Sequence, residues 1–224
     1  MHPDGAWSMP ASANYDIYVD GVTVWDKNQD DILGNGIFSY DIATKTLTVT
    51  KNYTLSDQIV KSSVNGLTIK TDNPVMLGKS TASQTMTLNG NTTFTGAGNF
   101  RIVGHILLGG DADGITMTVS DCALLRVSGS ISGSGNKKDN LVISNSNVTV
   151  SSSSKAIYGL QDIKLSNATI VSPAAGRVKD GAIVDETGNA AKAVTIETRN
   201  TPADVNRDGA VDSADIVAVI KAMK

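Results

Sequence analysis

The chain has 224 residues, 40% of them hydrophobic but only 4% aromatic, so its core must be assembled from small and branched side chains. Lys and Arg total 19 against 22 Asp and Glu, a net charge of −3 that gives no electrostatic case for nucleic acid. A single cysteine, Cys122, excludes an internal disulfide framework, and no apolar run is long enough to span a membrane.

Residues 1–14 lack a charged start followed by an apolar stretch, so they read as a disordered lead-in, a linker or a tag rather than a signal peptide. Regular structure is expected from Tyr15. Tyr15 to Val19 alternates, Asp20-Gly21 supplies hairpin turn chemistry, and Val22 to Trp25 returns. In the polar stretch that follows, Asp26, Asn28 and Asp30 imitate the first three positions of a calcium loop. Asp31 stands where such a loop needs glycine, so a solvated turn is the better reading. Phe38 to Asp41 and Thr46 to Thr50 form a second hairpin around Ala43-Thr44-Lys45. Taken together, Tyr-Asp-Ile-Tyr-Val-Asp-Gly-Val, Gly-Asn-Gly-Ile-Phe-Ser-Tyr-Asp and Thr-Leu-Thr-Val resemble the opening of a family of secreted bacterial surface domains. That resemblance covers residues 15–49 and implies a continuing β-helix and carbohydrate binding.

From residue 54 to 198, short β stretches alternate with Gly, Asn, Asp and Ser. The clearest are Leu67 to Lys70, Met86 to Leu88, Phe100 to Val103, Ile115 to Val119, Leu141 to Ile143 and Ile163 to Leu165. Asn-rich corners follow several of them, at Asn89 to Asn91, Asn145 to Asn147 and Asn167. Equivalent points recur roughly every 19 to 29 residues, the spacing of one solenoid coil. A corner Asn tolerates a left-handed backbone and can ladder its amide onto the next coil. The fold expected is all-β: a right-handed parallel β-helix over residues 15–198, with an N-terminal hairpin cap and a short C-terminal calcium loop and helix. Irregular spacing leaves a β-sandwich as the alternative. Gly181 to Asp185 and Ala193 to Ile196 are expected to cover the open end of the coil.

A polysaccharide-cleaving β-helix needs an acid, a base and often a cation converging on one face. His105 with Asp111 and Asp113 is the best such grouping, but His105 lies among Val103, Ile106 and Leu107 and reads as a satisfied strand histidine. Lys137-Lys138-Asp139, after Gly133-Ser134-Gly135, reads as a solvated loop without a P-loop pattern. Cys122 reads as a small buried residue. Asn52, Asn91, Asn147 and Asn167 each precede X-Thr and read as turn residues rather than glycosylation acceptors. Tyr18, Trp25, Tyr40 and Tyr53 are candidates for sugar stacking, though clustering in the opening hairpins favours a capping role. Binding without turnover is therefore expected, with a polysaccharide lyase or glycosidase as the alternative.

The tightest spacing lies in residues 199–224. From Asp204, the sequence Asp-Val-Asn-Arg-Asp-Gly-Ala-Val-Asp-Ser-Ala-Asp sets side-chain oxygens at loop positions one, three, five, nine and twelve. These are Asp204, Asn206, Asp208, Asp212 and Asp215, with the Ala210 carbonyl at position seven and Gly209 at the sharp turn. Four Asp against Arg207 repel one another without a divalent ion, so Ca²⁺ is the expected cofactor. β-Branched and turn residues from Thr195 to Pro202 replace an entering helix, while Ile216, Val219, Ile220 and Met223 form an exiting helical stripe. This loop-plus-helix resembles one repeat of a type I dockerin, with Asp215 in place of Glu. The resemblance covers about the last 21 residues. It implies a secreted or surface-attached bacterial protein whose partner is a cohesin-like domain or a second dockerin-like repeat. The partner-facing residues so implied are Ser213, Ala214, Ile216, Val217, Val219, Ile220 and Met223.

Overall fold

The computed structural model describes residues 14–109, 114–135 and 138–199. Two hairpins open the fold. Strands β1 (Asn14–Val19) and β2 (Val22–Trp25) are joined through Asp20 and Gly21, whose positive φ of 49° and 76° matches the twist of a tight hairpin. Strands β3 (Phe38–Asp41) and β4 (Thr46–Val49) are joined through Lys45 at φ 52°, and the Asp41 carboxylate accepts bonds from the Ala43 and Thr44 amides.

About five solenoid turns follow. The first holds β5 (Val60–Ser62), β6 (Leu67–Lys70) and β7 (Val75–Leu77). The second holds β8 (Gln84–Leu88) and the long β9 (Thr92–Val103), the third β10 (His105–Leu108) and the long β11 (Thr116–Ser128). The fourth holds β12 (Ile131–Gly133), β13 (Asn140–Ser144) and β14 (Val148–Ser151). The last holds β15 (Ile157–Tyr158), β16 (Asp162–Ser166) and β17 (Ala168–Ser172). A small hairpin of β18 (Arg177–Lys179) and β19 (Ala182–Val184) precedes the final strand β20 (Ala193–Thr198).

Three faces result. One is a seven-stranded sheet in the order β15-β12-β10-β8-β5-β1-β2. The other two share β9 and β11, which shift register around Gly96 and Cys122, so that each long strand serves one face before the bend and another after it. Coil-to-coil pairings are parallel throughout, from β4 with β6 to β13 with β16, which establishes the parallel β-helix and removes the β-sandwich. Inward side chains then stack in columns. Val60, Met86, Ile106, Ile131 and Ile157 line the first face; Leu47, Ile69, Phe94, Val119 and Ile143 line the second. Phe94 and Phe100 meet edge to face, with centroids 5.5 Å apart, across the bend of β9.

The ends are closed by antiparallel strands, the arrangement anticipated from the sequence for the C-terminal end. β1 pairs antiparallel with β5, and β20 inserts antiparallel between β14 and β17. The outer edge of β2 is blocked differently: the Asn28 amide accepts from Trp25 N at 2.7 Å and donates to Thr23 O at 3.0 Å, imitating a strand partner. Asp31 locks the adjoining loop through the amides of Asn35 and Gly36. Turn chemistry thus accounts for the stretch whose first residues imitate a calcium loop.

Candidate functional site

The final strand ends at the corner between the second and third faces. There Thr198 N donates to Asn147 Oδ1 at 3.0 Å and Arg199 N donates to the Asn167 carbonyl at 3.1 Å. The calcium-loop residues Asp204, Asn206, Asp208, Ala210, Asp212 and Asp215 lie outside the described residues, as do the partner-facing residues Ser213, Ala214, Ile216, Val217, Val219, Ile220 and Met223. Among the described residues, no group of three or more His, Cys, Asp or Glu side chains could hold a metal.

The same corner carries a side-chain ladder. Asp121, Asn145 and Asn167 take φ values of 49°, 47° and 48°, the left-handed conformation that short polar side chains tolerate. Asn145 Nδ2 donates to Asp121 Oδ1 at 2.7 Å across 24 residues, and Asn167 Nδ2 donates to Asn145 Oδ1 at 3.2 Å across 22. A cleft of about 330 Å³ opens beside the ladder because the corner narrows to Gly96-Ala97 and Cys122-Ala123 on the neighbouring coils. Gly96 is required at φ +121°: a Cβ there would stand 2.0 Å from the Thr71 carbonyl oxygen. Cys122 forms the floor, 2% exposed, and burial pushes its thiol up to about 11. A thiol held neutral in this way is a packing group, not a nucleophile.

The remaining candidates divide. His105 Nδ1 faces both the Ser130 amide at 3.0 Å and the Ser130 hydroxyl at 2.7 Å. Accepting from that amide requires an unprotonated Nδ1, so the ring joins one coil to the next, as a strand histidine would. Asp111 and Asp113 fall outside the described residues. Asp139 corrects the reading of a solvated loop: it is 0% exposed. Its carboxylate accepts bonds from the Ile115 amide at 3.1 Å, the Ser134 amide at 3.0 Å and the Ser134 hydroxyl at 3.1 Å. Gly109 makes room for it, since a Cβ there would meet Asp139 Oδ1 at 2.3 Å. Three donors compensate a buried charge that would otherwise be prohibitive. Lys137 lies outside the described residues. Asn52 and Asn91 each accept from a main-chain amide one coil away, Met76 N and Thr116 N, and Asn147 donates to the Ala123 carbonyl. All three side chains thus take part in corner bonding.

The four aromatics separate into two pairs. Tyr40 and Tyr53 are 3% and 6% exposed and cap the first coil, Tyr53 against Phe38 and through a hydrogen bond to Asp20. Tyr18 and Trp25 are 37% and 40% exposed. Tyr18 lines a cleft of about 240 Å³ with Gly21, Gln58, Ile59 and Lys61. An exposed ring beside an amide and an ammonium can cover the C–H face of a sugar while hydrogen-bonding its hydroxyls. Gln58 and Lys61 were not visible as partners of Tyr18 in the sequence, because only the antiparallel pairing of β1 with β5 sets Tyr18 opposite Lys61. No protein-family model matches the chain, and neither a curated protein nor a solved structure matches it significantly, so chemistry alone assigns these surfaces.

Proposed function

We propose that this protein is an extracellular, surface-attached glycan-binding or adhesion scaffold, held in place through a calcium-dependent dockerin-like segment at its C-terminal end. The observation that carries the reading is the oxygen spacing of Asp204, Asn206, Asp208, Asp212 and Asp215 directly after β20, the strand that closes the solenoid. Bound Ca²⁺ would offset the mutual repulsion of these carboxylates. It would also order the loop from which the stripe of Ile216, Val219, Ile220 and Met223 meets a cohesin-like domain or a second dockerin-like repeat. The Tyr18 cleft supports the glycan part, since ring, amide and ammonium match a sugar's mixed surface. Calorimetric titration of the full chain with calcium tests the attachment segment. Wild type is expected to give a saturable heat that Asp208→Ala abolishes; identical traces from the two proteins would end the reading.

A further inference from the structure

The third face of the solenoid carries a charge arrangement that the fold does not need. Arg101 on β9 and Arg126 on β11 are direct partners in the parallel register, and both are exposed. Neighbouring strands lie about 4.8 Å apart, so two cations in register on one face repel each other. The residues adjoining the pair supply no acidic partner, and the nearest acidic side chain of this face, the exposed Glu197, stands on β20 beyond the intervening β14. Their row continues with Met76 on one side and Thr149 on the other. Two residues along each long strand stand Asn99, Val103, Leu124 and Ser128, none of them acidic. Lys70 and Lys164 find Asp72 and Asp162 at 3.1 and 3.9 Å, whereas neither arginine has an ion pair or side-chain hydrogen bond among the described residues. Beside Arg126, the Thr149 hydroxyl is buried and has no hydrogen-bond partner among the described residues.

We propose that Arg101 and Arg126 form a two-pronged site for an oxyanion carried on a polysaccharide, a carboxylate or a sulfate ester. Two planar guanidinium forks side by side can each give paired N–H donors to one such group, which neutralises their repulsion. Arginine suits this geometry and lysine does not, because an ammonium lacks the fixed fork. A solenoid also presents its rows flat and open, so a polymer can lie across the pair without entering a pocket. The inference rests on the glycan-binding reading above and gives it a substrate class, the acidic polysaccharides.

The test uses one backbone in three charge states: dextran, carboxymethyl dextran and dextran sulfate, titrated against the full chain. At least one charged polymer is expected to bind and neutral dextran to bind much more weakly; which charged polymer binds tighter identifies the oxyanion. Arg101→Gln or Arg126→Gln should weaken that binding about tenfold, the loss of one charged fork, while Lys27→Gln leaves it unchanged. Replacing both arginines by lysine keeps the charge and the salt dependence but not the affinity. Without polymer, each glutamine variant should unfold at the same or a higher temperature, because a repulsion has been removed; an arginine that merely supported the fold would do the opposite. Unchanged binding in the glutamine variants overturns the proposal. Equal binding of neutral dextran, lost in Tyr18→Ala, would overturn it while sparing the glycan reading. Equally tight binding of single-stranded DNA would overturn the assignment to a glycan.

Discussion

Tyr53 and Asp20 hold the N-terminal cap through one contact between distant parts of the chain, and its strength depends on a proton. The Tyr53 phenol donates to Asp20 Oδ2, and burial, helped by that bond and by the Asp20 charge, pushes the phenol up to about 12 from an ordinary 10.0. Because the folded state holds this proton more tightly, the contribution is complete below pH 10. It disappears as pH rises through about 12. Tyr53→Phe removes the donor and is expected to cost about 1.5–3 kcal/mol at neutral pH, the range for a hydrogen bond to a charged group. In urea titrations the gap between variant and wild type should close between pH 10 and 12; no gap at neutral pH would mean that ring packing, which phenylalanine keeps, and not the bond, is what matters. Asp139 teaches a different lesson at this scale. Its neighbours in sequence suggest solvent, yet its burial depends on Gly109 and Ile115, which belong to the preceding coil. Local composition carries no trace of that stacking.

Corner and strand differ in how far sequence reveals them. The alternating stretches at β1 to β4, β6, β13 and β16 were legible because one face of each is buried, and a period of two records that directly. β12 and β15, with 3 and 2 residues, are too short to show any period and exist only because the coils beside them supply partners. β9 and β11 were legible only in part, since each turns a corner in mid-strand at a register shift that no local rule anticipates. The Asn corners were legible for a chemical reason: few residues combine tolerance of a left-handed backbone with an amide that can both donate and accept. That explanation can be divided experimentally. Asn145→Gly keeps the backbone tolerance and loses the two ladder bonds, to Asp121 and from Asn167, whereas Asn145→Ala loses both. Asn145→Ala is therefore expected to be the less stable by about 1 kcal/mol, the penalty for a left-handed L-residue, in equilibrium urea unfolding. Equal stability of the two would show that the amide ladder, and not the backbone, dictates Asn there.

The molecule as a whole is a stack whose coils touch only their neighbours, so its stability is decided at interfaces between coils and at the two ends. At the C-terminal end β20 has two roles. It pairs with β14 and β17 in antiparallel register, and it buries Val194 and Ile196, 1% and 0% exposed, over the last coil. Without it, the third face would expose a β14 edge with free amides and carbonyls, a template for another chain. At the N-terminal end the corresponding edge is met by the Asn28 amide. These observations set a boundary that truncation can locate. A chain ended at Arg199 retains every described pairing and should match the urea midpoint of the full chain measured in EDTA. A chain ended at Lys192 loses β20 and exposes the edges of β14 and β17. It should unfold at lower urea and associate with rising concentration, visible in light scattering. If the chain ended at Arg199 also lost stability, residues 200–224 would have to pack against the solenoid, and the division between a closed scaffold and a separate attachment segment would fail.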